Sequence, residues 1–181
     1  MKYFWREKNA KSCAGQAKIV EPTREELEQE LILKVEQKLS RIDVVFDPKA
    51  REQYYLTDKK PKKNLDGLSE KEIVGLLGKR VAVDFLQLCF DLADFYGLNK
   101  NFVTKPEKVT VEELKIKVKS VVENLQNGRK GEKKMQVEKL FGCARDMASL
   151  CDTSWEDVET LQAEKEVEEG SFYQGKYVIF E

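Results

Sequence analysis

The sequence contains no histidine among its 181 residues. That absence removes Ser-His-Asp and Cys-His catalysis, histidine general bases and histidine-containing zinc sites. An enzyme built from this chain would have to work with carboxylates, lysine, tyrosine, cysteine or a carboxylate-bound metal. Proline is scarce at 4 residues and glycine numbers 10, which favours long helices over many short strands. The 4 cysteines, Cys13, Cys89, Cys143 and Cys151, show no C-x-x-C spacing. They read as reduced, mostly buried thiols of a cytoplasmic protein. Lys79, Arg80, Asp84, Asp91 and Asp94 interrupt the longest apolar run, so no membrane span is expected. The opening MKYFWREKNAKSC lacks the apolar core of a secretory signal.

What is abundant is charge, at 36% of residues with a net of −1. A balance so close to neutral gives no global pull toward nucleic acid or membrane. Its distribution is polarised. Residues 1–18 carry five basic and one acidic side chain, and residues 48–63 six basic and two acidic. Residues 152–169 carry eight acidic and one basic. The chain has a basic front and an acidic back.

The pattern centres on Ser69–Gly97. Ser69 and Glu72 form a capping box, Leu68 and Ile73 a hydrophobic staple, and Gly97 a left-handed stop. Apolar residues from Ile73 to Tyr96 cover most of the helix circumference, as in a helix buried on most sides. The polar residues Arg80, Asp84, Gln87, Asp91 and Asp94 recur at four, three, four and three, a single narrow stripe. The stripe predicts a solvated strip. Carboxylates one turn apart could also bind Mg²⁺ if a second helix supplied matching oxygens.

Around this helix the spacing predicts four more. Thr23 and Glu26 box the first, whose seam is Leu27, Leu31, Val35, Leu39 and Ile42. Its acidic first turns suit the helix dipole, and Glu26 and Glu30 are also candidate metal ligands. Thr110 and Glu113 open the next, with Leu114, Val118, Val121 and Leu125 on its face and Asn127-Gly128 as its stop. A further helix runs from about Glu132 to Cys151, buried along Val137, Leu140, Phe141, Ala144, Met147 and Ala148. Thr153 and Glu156 box the last, anchored by Trp155, Val158 and Leu161. The expected fold is all-α, about five helices in an antiparallel bundle around 69–97, occupying residues 21–181. Residues 1–20 form a basic, aromatic arm. Residues 48–67, with Tyr54, Tyr55 and the Lys59–Lys63 run, are expected as a linker or hinge. Residues 171–181 form a short extended tail with a turn at Gln174-Gly175, expected to dock on the bundle or pair with a strand of another chain.

Glu164 to Ile179, ending Gly-Ser-Phe-Tyr-Gln-Gly-Lys-Tyr-Val-Ile, is similar to the close of all-α nucleotide pyrophosphohydrolases of the MazG kind. The resemblance covers about 16 residues and implies a helical bundle holding Mg²⁺ on E-E-x-x-E and E-x-x-D motifs. This chain departs from both. Gln136-Val137-Glu138-Lys139 stands where E-x-x-D would fall, and Gln29 where the last glutamate of the first motif would fall.

Function is accordingly expected to be that of a non-catalytic interaction or assembly protein, with a protein partner or a second copy and no cofactor. Tyr3, Phe4, Trp5, Phe172, Tyr173, Tyr177 and Phe180 are the expected contact residues, because aromatics dominate binding hot spots. The alternative is a Mg²⁺-dependent pyrophosphohydrolase of nucleoside triphosphates using Glu26, Glu30, Asp84, Asp91 and Asp94. It requires those carboxylates to converge on one cleft. A weaker third option is nucleic-acid binding through residues 1–11 and the lysine run.

Overall fold

Each long helix begins where its capping residue falls. In the computed structural model, which describes residues 2–6, 19–57, 65, 67–105, 107–128, 130–169 and 177–180, Thr23 opens α1 (Arg24–Phe46) with a complete capping box. Its hydroxyl accepts from the Glu26 N–H at 3.1 Å, and Glu26 accepts from the Thr23 N–H at 3.4 Å. Ser69 caps α3 (Glu70–Tyr96), accepting from the Glu72 N–H, but here Glu72 bonds the Ser69 hydroxyl instead of its N–H. Thr110 caps α4 (Val111–Asn127) in the same one-sided way. The fourth expected box does not form: α6 (Trp155–Glu169) starts one residue later, and the Thr153 hydroxyl donates to the Cys151 carbonyl.

The helix ends are equally specific. Gly97 sits in the left-handed region at φ 67°, and the Leu98 N–H reaches the Ala93 carbonyl at 2.7 Å, a Schellman closure. Asp152, at φ 51°, ends α5 (Lys133–Leu150) the same way without glycine. Gly128 stops α4 for another reason. Its φ is −79°, and a Cβ there would run into the Asn124 carbonyl oxygen.

Four helices close a ring in the order α1, α3, α5, α4. Arg24 meets the Phe95 carbonyl, Cys89 the Val137 carbonyl, Lys117 meets Asp146 and Lys115 meets Asp43, so each neighbouring pair is antiparallel. The predicted apolar faces fill the centre: Leu31, Val35 and Ile42 from α1, Phe85, Leu86 and Leu92 from α3, Leu114, Val118, Val121 and Leu125 from α4, and Val137, Leu140 and Met147 from α5 are all fully buried. α6 lies on the outer side of α3. The all-α bundle around residues 69–97 is the fold. Among the described residues, no helix is long and apolar enough to cross a membrane.

At one end of the ring a polar cluster joins all four helices. Lys133 of α5 donates to the Leu125 carbonyl of α4, pairs with Glu28 of α1 at 3.6 Å and lies over the Tyr96 ring of α3. The Tyr96 hydroxyl donates to Glu28 at 2.7 Å. Burial first, and then that bond to a carboxylate, keeps the phenol protonated well above its ordinary range.

The expected linker is in part a helix. α2 (Pro48–Thr57) begins with proline at its first position, where no N–H is missed, and it is organised around a charged residue. Arg51 is buried, donates to the Val44 and Val45 carbonyls at the end of α1, and grips Glu70 at the start of α3 with two bonds of 2.8 and 3.0 Å. The Lys59–Lys63 run lies outside the described residues. So do most of the arm and the Gln174-Gly175 turn. Three short strands are described, β1 (Lys2–Arg6), β2 (Ile19–Val20) and β3 (Tyr177–Phe180), in the antiparallel order β2-β1-β3. The tail strand therefore pairs within the chain, Tyr3 opposite Ile179 and Trp5 opposite Tyr177.

Two outcomes test this account. Arg51→Ala should lower stability by roughly 2–4 kcal/mol in urea unfolding, because two buried carbonyls lose their donor; Arg51→Lys should recover only part, since an ammonium lacks the fork. Arg51 also holds the Glu70 carboxyl below its ordinary 4.5, through the hydrogen bond first. That contribution is present above pH 4.5 and lost as pH falls through the lowered folded value, so the variant should lose that acid-side slope. Separately, α3 and α5 touch at Gly78, where a Cβ would lie 2.7 Å from the Cys151 Cβ. Gly78→Ala should therefore destabilise, by about 1–3 kcal/mol, despite alanine's better helix propensity. A neutral result would mean that the crossing is loose.

Candidate functional site

The acidic stripe of α3 is covered along its middle. Asp84 takes two ammonium groups, Lys38 of α1 at 3.1 Å and Lys165 of α6 at 3.0 Å. Gln87 donates to Asp91 at 3.0 Å and accepts from Gln162 of α6 at 2.8 Å, while Gln162 also donates to Glu166. Asp91 is only 5% exposed and Gln162 4%. Polar residues of α6 thus complement polar residues of α3, and the strip expected to be solvated is so only at its ends, at Arg80 and at Asp94, which pairs with Lys100 at 2.8 Å.

This arrangement bears on the five candidate metal ligands. Glu26 serves the α1 cap, Asp84 is held by lysines, Asp91 by a glutamine, and Asp94 by Lys100. No group of three or more carboxylates or thiols able to hold a metal ion occurs among the described residues, so Glu26, Glu30, Asp84, Asp91 and Asp94 are not brought together as a donor set. Of the expected contact residues, Tyr3, Phe4, Trp5, Tyr177 and Phe180 fall on the paired strands β1 and β3. Phe172 and Tyr173 lie outside the described residues.

Two concave regions among the described residues are of a size to hold a ligand or a partner's side chains. One, of about 470 Å³, opens between α1, α2, α3 and α6. Val44, Val45, Leu77, Val81, Val83 and Leu161 form its apolar lining, with Tyr54 and Tyr55 along one side. Arg41, Arg80, Lys165 and Asp84 supply its charges. The Arg41 guanidinium bonds the Tyr54 hydroxyl and sits 4.5 Å from that ring's centre. Arg80 is not paired with any described residue and is exposed.

The second, of about 560 Å³, runs between α4 and α5 beside Thr104, Lys105 and Glu107. Ile116 of α4 and Met135 of α5 line it at 64% and 50% exposure. At its polar end Asp146, 2% exposed, accepts from the Glu107 N–H at 3.0 Å and from Lys117 at 3.1 Å. Lys117 has its pKa raised: burial opposes the charge, but hydrogen bonds to Glu107 and Asp146 outweigh it. The Thr104 hydroxyl is buried in this wall with no hydrogen-bond partner among the described residues, which is uncommon for a buried polar atom. Neither region was legible from motifs, because each is lined from segments far apart in sequence. The exposed Ile116 and Met135 were the available signal, as apolar residues off their helices' buried faces.

With the geometry in view, comparison with known proteins adds no assignment: no family model, no curated protein and no solved structure matches the chain.

The three described cysteines, all buried and free, are not placed for chemistry. Burial drives the Cys89 thiol well above its ordinary pKa and pushes those of Cys143 and Cys151 up to about 12. In the native protein at pH 8, these three should resist Ellman's reagent and react only on unfolding. Fast native labelling of Cys143 or Cys89 would show an opened bundle.

Proposed function

We propose that the chain is a non-catalytic helical binding protein that docks a protein partner on the groove between α4 and α5. The observation that carries this reading is the pair Ile116 and Met135, exposed apolar side chains on facing helices at a groove. Large apolar groups gathered at a concavity and rimmed by charge are the usual build of an interaction surface. The rim here mixes Lys105, Lys117 and Lys139 with Glu107 and Glu138, which suits specificity more than bulk attraction. Tyr3, Phe4, Trp5, Tyr177 and Phe180, on the paired strands β1 and β3, are proposed as a second contact with the same partner. Three buried thiols suit a cytoplasmic setting for this role.

A photocrosslinking residue in place of Ile116 or Met135 tests the groove. Both positions should capture one defined protein in cells of the source organism, and Ile116→Asp should weaken the purified complex at least about tenfold without altering the unfolding midpoint. A probe at exposed Leu33 of α1 should not capture that protein. Equal capture from Leu33, or none from the groove, would end this reading.

A further inference from the structure

The cavity between α1, α2, α3 and α6 has a chemical bias that the protein-docking reading does not use. Among the described residues its charged lining is three cations, Arg41, Arg80 and Lys165, against one carboxylate, Asp84. A second ammonium, Lys38, already shares that carboxylate. Asp84 therefore has more positive charge around it than it can neutralise, and Arg80 has no described partner at all. Beneath this charge the surface is branched aliphatic, from Val44, Leu77, Val81 and Leu161, with the tyrosine pair as a side wall. At about 470 Å³ the space falls within the usual range of small-molecule sites, roughly 300–1,000 Å³.

Each simpler occupant leaves part of this unused. A metal ion meets net positive charge. A neutral apolar molecule leaves Arg80 without counter-charge and Lys165 with only a share of the Asp84 carboxylate. A bare inorganic anion leaves the aliphatic floor without a partner. We infer that the cavity binds an amphipathic organic anion, its acidic head at Arg80 and Lys165 and its apolar body over Val81, Leu77 and Leu161. Arg41 is held by Tyr54, by a hydrogen bond and by stacking, so it contributes fixed positive potential beside the head. Arg80 supplies a donor with no described partner, and a guanidinium suits a carboxylate or a phosphate equally. The head group's source is thus an acyl carboxylate or an aryl phosphate.

The site is independent of the α4–α5 groove, and comparison with the Arg80 variant makes its test specific to the cavity. The full chain at low salt is titrated with the fluorescent sulfonate 8-anilinonaphthalene-1-sulfonate. Bound probe is then displaced with dodecanoate, phenyl phosphate or inorganic phosphate. Saturable binding with a displaceable signal is expected, and the better competitor of the first two identifies the head group. Arg80→Glu should raise the probe's dissociation constant at least about tenfold, the scale of one charge-assisted hydrogen bond. Lys119→Glu, the same charge change on an exposed position of α4, should leave it unchanged. Circular dichroism on each variant confirms that the bundle is folded. Absence of binding by the folded chain, equal losses in the two variants, or displacement by inorganic phosphate as effective as by the organic anions would each overturn the proposal.

Discussion

A buried ammonium group sets the terms for the bundle. Lys133 is 8% exposed, and a charge so placed is tolerable only if its surroundings supply compensating oxygens. Those oxygens come from two other helices, the Leu125 carbonyl of α4 and the Glu28 carboxylate of α1. The Tyr96 ring of α3 covers the same group, and its hydroxyl fixes the carboxylate. Separating any one helix at this end would leave a charge or a carbonyl in apolar surroundings without a partner. Hydrophobic burial drives these helices together without specifying depth or rotation. The cluster specifies both, since its partners must meet at one point.

Much of this was legible in the sequence. Caps and apolar spacing located α1, α3, α4 and α5, because the signals for starting a helix and for burying its face are local. Arg51 shows why α2 was not. Its helix has no apolar stripe to read, and its anchor is a charged side chain whose partners are backbone carbonyls of α1 and the carboxylate of Glu70. Periodicity counts hydrophobic residues, and it has no means of seeing a buried guanidinium.

The stripe on α3 failed for a related reason. A polar face turned to water and a polar face turned to another polar face have the same sequence pattern. Only the position of Gln162 and Lys165 on α6 distinguishes them. The cavity at Asp84 inherits that ambiguity. Its lining is drawn from residues 41–55, 65, 77–84 and 161–165, and its excess of positive charge exists only once those segments are adjacent. Seen in order along the chain, Arg41, Arg80 and Lys165 are ordinary surface residues of three helices.

The contact between Gly78 and Cys151 carries a consequence for how this sequence can change. The two backbones meet there with room for one thiol and nothing opposite it. Sliding α3 by one residue along α5 would put the side chain of Leu77 or Lys79 in that space, so the crossing acts as a stop that fixes the axial setting of the two helices. It follows that positions 78 and 151 are not free to drift separately. In any set of descendants of this chain, a larger residue at 78 should be accompanied by a smaller one at 151, and a bulkier residue at 151 should never appear while α3 keeps its present depth.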